Sequence, residues 1–243
     1  MKGSTAKLLT PILGIALIGC SNPAARPVSN VVFVDASVSP GDQSKLWLGA
    51  LRNRVCKSLG RGDSVEVLVI GAATGERAPV YEAAIPAPPR GMRGDLLVRS
   101  AVEQACKGSE QAVRSSLSAA SERQTRLLDS IPRIPRVSAR SLHVLYLSDA
   151  MEASPELNLE RTALDEAAAA DLAHRVVQAR GWPPGLLRGA VIDFVLDSPA
   201  PNTRPHLNGR AHVERFWRCL FESIGADLRS FDSRVSLLVR GPQ

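Results

Sequence analysis

Apolar runs alternate with stretches of helical period along most of this chain. Val31-Val32-Phe33-Val34 is continuously apolar and ends at Asp35. A run this short, with no polar alternation, suits a strand buried on both faces. Residues 43–59 place Leu46, Leu48, Leu51, Val55 and Leu59 near a 3.6 period, which predicts a helix closed by Gly60 as its C′ residue. Arg61-Gly62-Asp63 then reads as a turn. Residues 64–70, with Val65, Val67 and Val69 on one face, read as a second strand. After a turn over 71–77, residues 80–85 predict a third strand, a hairpin partner of the second. Pro79, Pro86, Pro88 and Pro89 flank it and put it at a sheet edge.

A mostly helical stretch starts at residues 91–95. Residues 96–106 predict one helix, ended by Lys107-Gly108, and residues 110–131 another, stopped by Pro132 and Pro135. Residues 142–147 are a strongly apolar strand that ends at Ser148-Asp149-Ala150. An alanine-rich helix over 160–180, closed by Gly181, leads to a strand over 190–196, a helix over 212–224 and a final strand over 234–239. Apolar strands separated by helices predict an α/β fold: a Rossmann-like three-layer sandwich, its sheet mostly parallel with one antiparallel edge strand, helices on both faces.

The first residues lie outside this pattern. Lys2 and Lys7 accompany an apolar stretch over residues 8–19, shorter than a bilayer-spanning helix needs, so it reads as a secretory signal. Leu17-Ile18-Gly19-Cys20 resembles the bacterial lipobox. That resemblance implies a lipoprotein signal peptide over 1–19, a lipidated Cys20 with a tether through residue 30, and one domain over 31–243. Acyl chains on Cys20 would anchor the chain stably. Ser21, in place of an Asp after the lipidated Cys, implies the outer membrane of a Gram-negative cell, with the domain facing the periplasm.

Composition narrows the partners. The formal charge of +6 is spread along the chain, and the scarce aromatics do not interleave with basic runs, so no nucleic-acid partner is expected. Cys56, Cys106 and Cys219 lack the C-x-x-C spacing of a zinc or thioredoxin-like centre. An oxidising envelope permits one disulfide among them and leaves one thiol over. The sequence does not choose among the three pairings, nor between a disulfide and three small buried thiols.

The candidate chemistry sits where strands end. Asp35-Ala36-Ser37-Val38-Ser39 follows the first apolar strand. A carboxylate and two hydroxyls at alternate positions are hard oxygen donors, suited to Mg²⁺, Mn²⁺ or Ca²⁺ rather than zinc. Asp149 ends another apolar strand. Ligands of open α/β sheets bind beyond the carboxyl ends of strands, where the strand order reverses. Asp35 and Asp149 therefore face one crevice if their strands are neighbours.

These residues resemble the von Willebrand factor A domain. That family opens with a strand carrying D-x-S-x-S, here Asp35, Ser37 and Ser39, and a later strand ends in an Asp, here in Ser148-Asp149-Ala150 with Ala in place of the usual Gly. A middle loop supplies a Thr, here Thr125, with Ser121 as a weaker substitute. A helical face running through Val113, Leu117, Ala120, Leu127 and Ile131 competes with that assignment, because it puts Thr125 inside a helix. The resemblance implies a metal-ion-dependent adhesion site formed by Asp35, Ser37, Ser39, Thr125 and Asp149. Its hydroxyls would contact a divalent cation directly, its carboxylates largely through water, and an acidic residue of a protein partner would complete the coordination.

Two other readings stand beside it: a metal-dependent phosphatase or hydrolase using Asp35 and Asp149, and a structural lipoprotein whose metal site is vestigial. No G-x-S-x-G elbow or P-loop is present, and Asp35-Ala36-Ser37 lacks the second Asp of the haloacid-dehalogenase type, so no catalytic motif favours an enzyme. Arg61-Gly62-Asp63 and Arg93-Gly94-Asp95 spell an adhesive tripeptide, but both fall where a turn or a helix cap is needed. His143, His174, His206 and His212 show no metal-ligand spacing.

Overall fold

The computed structural model describes residues 26–37, 43–76, 78–119, 124–136, 141–159, 161–196 and 209–232. Among them, six strands form one sheet: β1 (Val28–Asp35), β2 (Ser64–Ile70), β3 (Tyr81–Ala84), β4 (Ser141–Leu147), β5 (Ala190–Val195) and β6 (Asp227–Asp232). Four α-helices accompany them: α1 (Gln43–Arg54), α2 (Met92–Ser118), α3 (Glu166–Ala179) and α4 (Arg210–Ser223). The strand order is β3-β2-β1-β4-β5-β6. β2 and β3 pair antiparallel at one edge, and the other neighbours are parallel. This is the expected α/β sandwich, and β1 and β4 are neighbours at the point where the order reverses.

Alternate side chains of each strand enter opposite cores. Val31 and Phe33 of β1, Val144 and Tyr146 of β4, and Ile192 and Phe194 of β5 face α3 and α4, meeting Ala169, Ala173, Phe216, Trp217 and Phe221. Phe33, Tyr146 and Phe194 stack across the three strands, with centroids 5.0 and 4.6 Å apart. The few aromatics are thus spent largely on one core, where offset rings bury much apolar area. Val32, Val34, Val65, Val67, Leu145 and Leu147 face the other way, against Trp47, Leu48 and Leu51 of α1 and Ala105, Val113 and Leu117 of α2.

Several expected boundaries move. β1 begins at Val28, inside the expected tether, because its first residues pair with both β2 and β4. The helix over 43–59 gives way after Arg54 to a 3-10 turn over Cys56–Ser58. Gly60 is not in the left-handed conformation of a C′ glycine; its amide donates instead to Asp63 Oδ2 at 2.7 Å. The helices expected over 96–106 and 110–131 are corrected to one continuous α2 that passes through Lys107-Gly108 and ends at Ser118. Gly108 is a packing glycine rather than a stop. A Cβ there would meet the Tyr81 ring at 2.2 Å, so its absence lets β3 lie against the helix.

Ile131 and Leu128 belong to a separate 3-10 segment, Leu128–Arg133. α3 is shorter than its alanine-rich pattern suggested, starting where the Asp165 carboxylate caps the Ala168 amide at 2.8 Å. β6 was not anticipated; the strand expected over 234–239 lies outside the described residues, as do Cys20, Ser39, Ser121 and the whole signal segment.

Candidate functional site

The parallel pairing of β1 with β4 brings Asp35 beside the residues that follow Leu147. Asp35 is fully buried, and its carboxylate accepts three hydrogen bonds from two residues. Oδ1 accepts from the Ser37 amide at 2.9 Å and the Ser37 hydroxyl at 2.6 Å. Oδ2 accepts from the Ser148 hydroxyl at 2.7 Å. Burial raises the Asp35 pKa above the ordinary aspartate value; the bonds from Ser37, Ser148 and Thr125 offset part of that cost.

Thr125 lies in the connection between α2 and the 3-10 segment, not inside a helix. Its hydroxyl stands 2.5 Å from that of Ser37. Two contacts hold this loop. The Ala153 amide donates to the Thr125 carbonyl at 2.8 Å, and the Leu128 amide donates to Glu152 Oε2 at 2.9 Å. Glu152 is itself fully buried, and its other oxygen, Oε1, has no hydrogen-bond partner among the described residues. Burial, against bonds from the Leu128 amide and Ser154, pushes its carboxyl up to about 7.

The third loop leaves β4. The Ser148 hydroxyl that donates to Asp35 also accepts from the Ala150 amide at 3.1 Å. Asp149 Oδ1 accepts from the Met151 amide at 2.8 Å, an Asx turn that fixes the half-buried carboxylate at the strand end. Ala150 has φ 64°, in the left-handed region, and its carbonyl accepts the Trp217 indole at 2.9 Å. This is the position at which the sequence carries Ala where glycine was expected.

Asp35, Ser37 and Thr125 thus meet directly, while Asp149 follows Ser148, which bonds Asp35; Ser39 lies outside the described residues. All five oxygen-bearing side chains, Ser148 included, come from the end of β1 or from loops at one end of the sheet. Their fit to a hard cation is testable on spacing. Neighbouring oxygens around Mg²⁺, bonded at ~2.0–2.1 Å, stand about 3 Å apart. The Ser37–Thr125 separation of 2.5 Å falls just short of that, so a small parting of the hydroxyls would accommodate the ion. Among the described residues no group of three or more His, Cys, Asp or Glu gathers as a metal cage. A site here would rest on hydroxyls with flanking carboxylates, and the residues fit Mg²⁺ or Mn²⁺ on that basis.

A second polar cluster escaped the sequence reading. Asp193, fully buried in the otherwise apolar β5, accepts from His143 Nε2 at 2.8 Å, the Ser230 hydroxyl at 2.7 Å and Arg229 Nε at 3.0 Å. Arg54 of α1 lies 3.4 Å away, and His143 Nδ1 meets Asn30 Oδ1 at 3.2 Å. Burial alone would raise the Asp193 pKa, but the bonds from His143, Arg229 and Ser230 outweigh it and hold the carboxyl well below the usual range. One acid in an apolar strand was the available signal, since a buried charge demands partners. The two R-G-D tripeptides are structural, as expected: Arg61 pairs with Asp95, and Asp63 accepts the Val28 amide at 2.6 Å.

No protein-family model matches the chain, and no curated protein matches it by sequence. Among solved structures, it is similar to the human COPII-coat protein Sec24c at 11% identity and a TM-score of 0.40, over 88% of this chain and 31% of that one. The chain therefore spans less than a third of that protein.

Proposed function

We propose that this chain is a binding module of von Willebrand factor A type that holds a divalent cation, Mg²⁺ or Mn²⁺, at Ser37, Thr125, Asp35 and Asp149 and grips a protein partner through it. The observation that carries the reading is the Ser37–Thr125 hydroxyl contact directly above the buried Asp35 carboxylate. Two hydroxyls supply no net charge, so a bound cation would stay electrophilic toward an outside carboxylate. Asp35, fully buried with both oxygens already accepting hydrogen bonds, is suited to orienting the hydroxyls rather than to nucleophilic attack. That favours binding over the phosphatase reading. The partner fitting this chemistry presents an exposed Asp or Glu. The lipobox resemblance at Cys20 supports an envelope setting for both, with the module tethered to a membrane.

The test is a thermal-unfolding titration with Mg²⁺ and Mn²⁺, beside partner capture with and without chelator. A cation-dependent rise in Tm that Asp35→Ala abolishes, together with chelator-sensitive capture, is expected. A Tm indifferent to both ions, in a chain that still captures its partner in chelator, overturns the reading.

A further inference from the structure

Cys56 and Cys106 meet on the α1–α2 side of the sheet. Cys56 opens the 3-10 turn after α1, and Cys106 lies in the middle of α2. The Cys56 and Cys106 thiols lie close enough to perturb each other, and both pack against the same apolar core. Both are half-buried free thiols, so an oxidant can reach them. Cys219 belongs to the core on the opposite face of the sheet and cannot join them. Close by, Arg52 of α1 and Glu110 of α2 form a two-bond ion pair, each contact 2.6 Å, which already holds the two helices in one register. Tyr81 of β3 lies against Gly108, two residues beyond Cys106 on α2.

From this juxtaposition we infer that Cys56 and Cys106 form a disulfide that staples the end of α1 to α2, with Cys219 left as a buried thiol. The chemistry needs a disulfide-class oxidant such as oxidised glutathione or a thiol–disulfide oxidoreductase. One cysteine, as thiolate, attacks a sulfur of the oxidant; a mixed disulfide forms and one thiol leaves. The second cysteine then attacks the first, and the other thiol leaves. Two protons and two electrons pass from the pair, and the oxidant's S–S bond becomes two thiols.

Burial raises both cysteine pKa values, which suppresses the thiolate and slows exchange in either direction. Set between two helices that pack on one core, the bond is a structural crosslink. Its place in the fold gives it a consequence for the candidate site. The chain runs from Ser37 into α1, and from the end of α2 toward Thr125. The staple ties together α1, which follows Ser37 in the chain, and α2, which precedes Thr125. It closes a loop of about 50 residues, and constraining the unfolded chain by that much raises Tm on the order of 5–10 °C.

The whole chain, equilibrated in oxidised and reduced glutathione and digested without reduction, tests this. A Cys56–Cys106 linked peptide lacking two hydrogens is expected, with Cys219 still open to alkylation after unfolding. The oxidised protein should melt above the reduced one, and the double variant Cys56→Ser/Cys106→Ser should lose that difference while remaining folded by circular dichroism. A pairing that includes Cys219, glutathione adducts on Cys56 or Cys106 without a crosslink, or two thiols still free after equilibration overturns the inference.

Discussion

The hydroxyls of Ser37 and Thr125 touch at 2.5 Å although 88 positions separate them in the chain. The contact joins the loop leaving β1 to the loop entering the 3-10 segment, and it does so over a buried carboxylate. Each hydroxyl is held where two loops and a charge converge, so its removal should be read out at the site before it is read out in the fold.

Thr125→Val keeps the β-branched shape and removes the hydroxyl. Ser37 retains its bond to Asp35, so stability should change by no more than about 1 kcal/mol. If the cation reading is right, the Mg²⁺ concentration needed for half the thermal shift should rise at least ~10-fold, the equivalent of about 1.4 kcal/mol. An unchanged midpoint would remove Thr125 from the ligand set.

The left-handed backbone at Ala150 should discriminate between substitutions by shape. Ala150→Gly relieves the conformational cost but gives up a buried methyl and some chain entropy, so the melt should stay within about 1 kcal/mol of wild type. Ala150→Val adds a β-branched side chain to a left-handed, fully buried residue and should lose about 2–4 kcal/mol in denaturant titration.

Glu152 should make stability depend on pH with an unusual sign. Its carboxyl is pushed up to about 7 in the fold and titrates near the ordinary glutamate value when unfolded. The folded chain holds this proton more tightly, so the contribution is complete below about pH 4.5 and is lost as pH rises through about 7, amounting to roughly 3 kcal/mol. Asp35, also raised, acts in the same direction. Glu152→Gln preserves an acceptor for the Leu128 amide and cannot ionise. Urea melts between pH 5 and 8 should therefore show a flatter profile in the variant.

Asp193 should behave oppositely and more severely. Held below the usual carboxylate range, it stays ionised and its contribution persists through mild acid. Asp193→Ala leaves Arg54 and Arg229 facing a buried gap and should cost about 3–5 kcal/mol in chemical denaturation. A loss under 1 kcal/mol would show that solvent compensates both guanidinium groups.

How much was legible follows from the range of the forces involved. Val31 to Val34 and residues 142–147 announced buried strands because short apolar runs have few other stable uses, and the Pro-flanked third strand announced an edge because proline cannot donate to a ladder. Asp35 and Asp149 were visible because a carboxylate at the end of such a run is conspicuous. What local pattern misread, tertiary contact explains. Gly108 looked like a helix stop, yet it is where Tyr81 needs room. The apolar spacing from Val113 to Ile131 looked like one helix, yet the chain leaves α2 at Ser118 and Thr125 meets Ser37.

By itself the sequence determined the alternation of strands and helices, the sheet class and the presence of oxygen-bearing side chains at two strand ends. Those depend on hydrophobic period and on the identity of single residues. Only the tertiary structure decided that Thr125 faces Ser37, that Ser148 bonds Asp35, that Asp193 lies among Arg54, Arg229 and His143, and that Cys56 rather than Cys219 meets Cys106. Each is a contact between segments far apart in the chain, and packing across the two faces of the sheet, not local preference, sets which distant residues can touch.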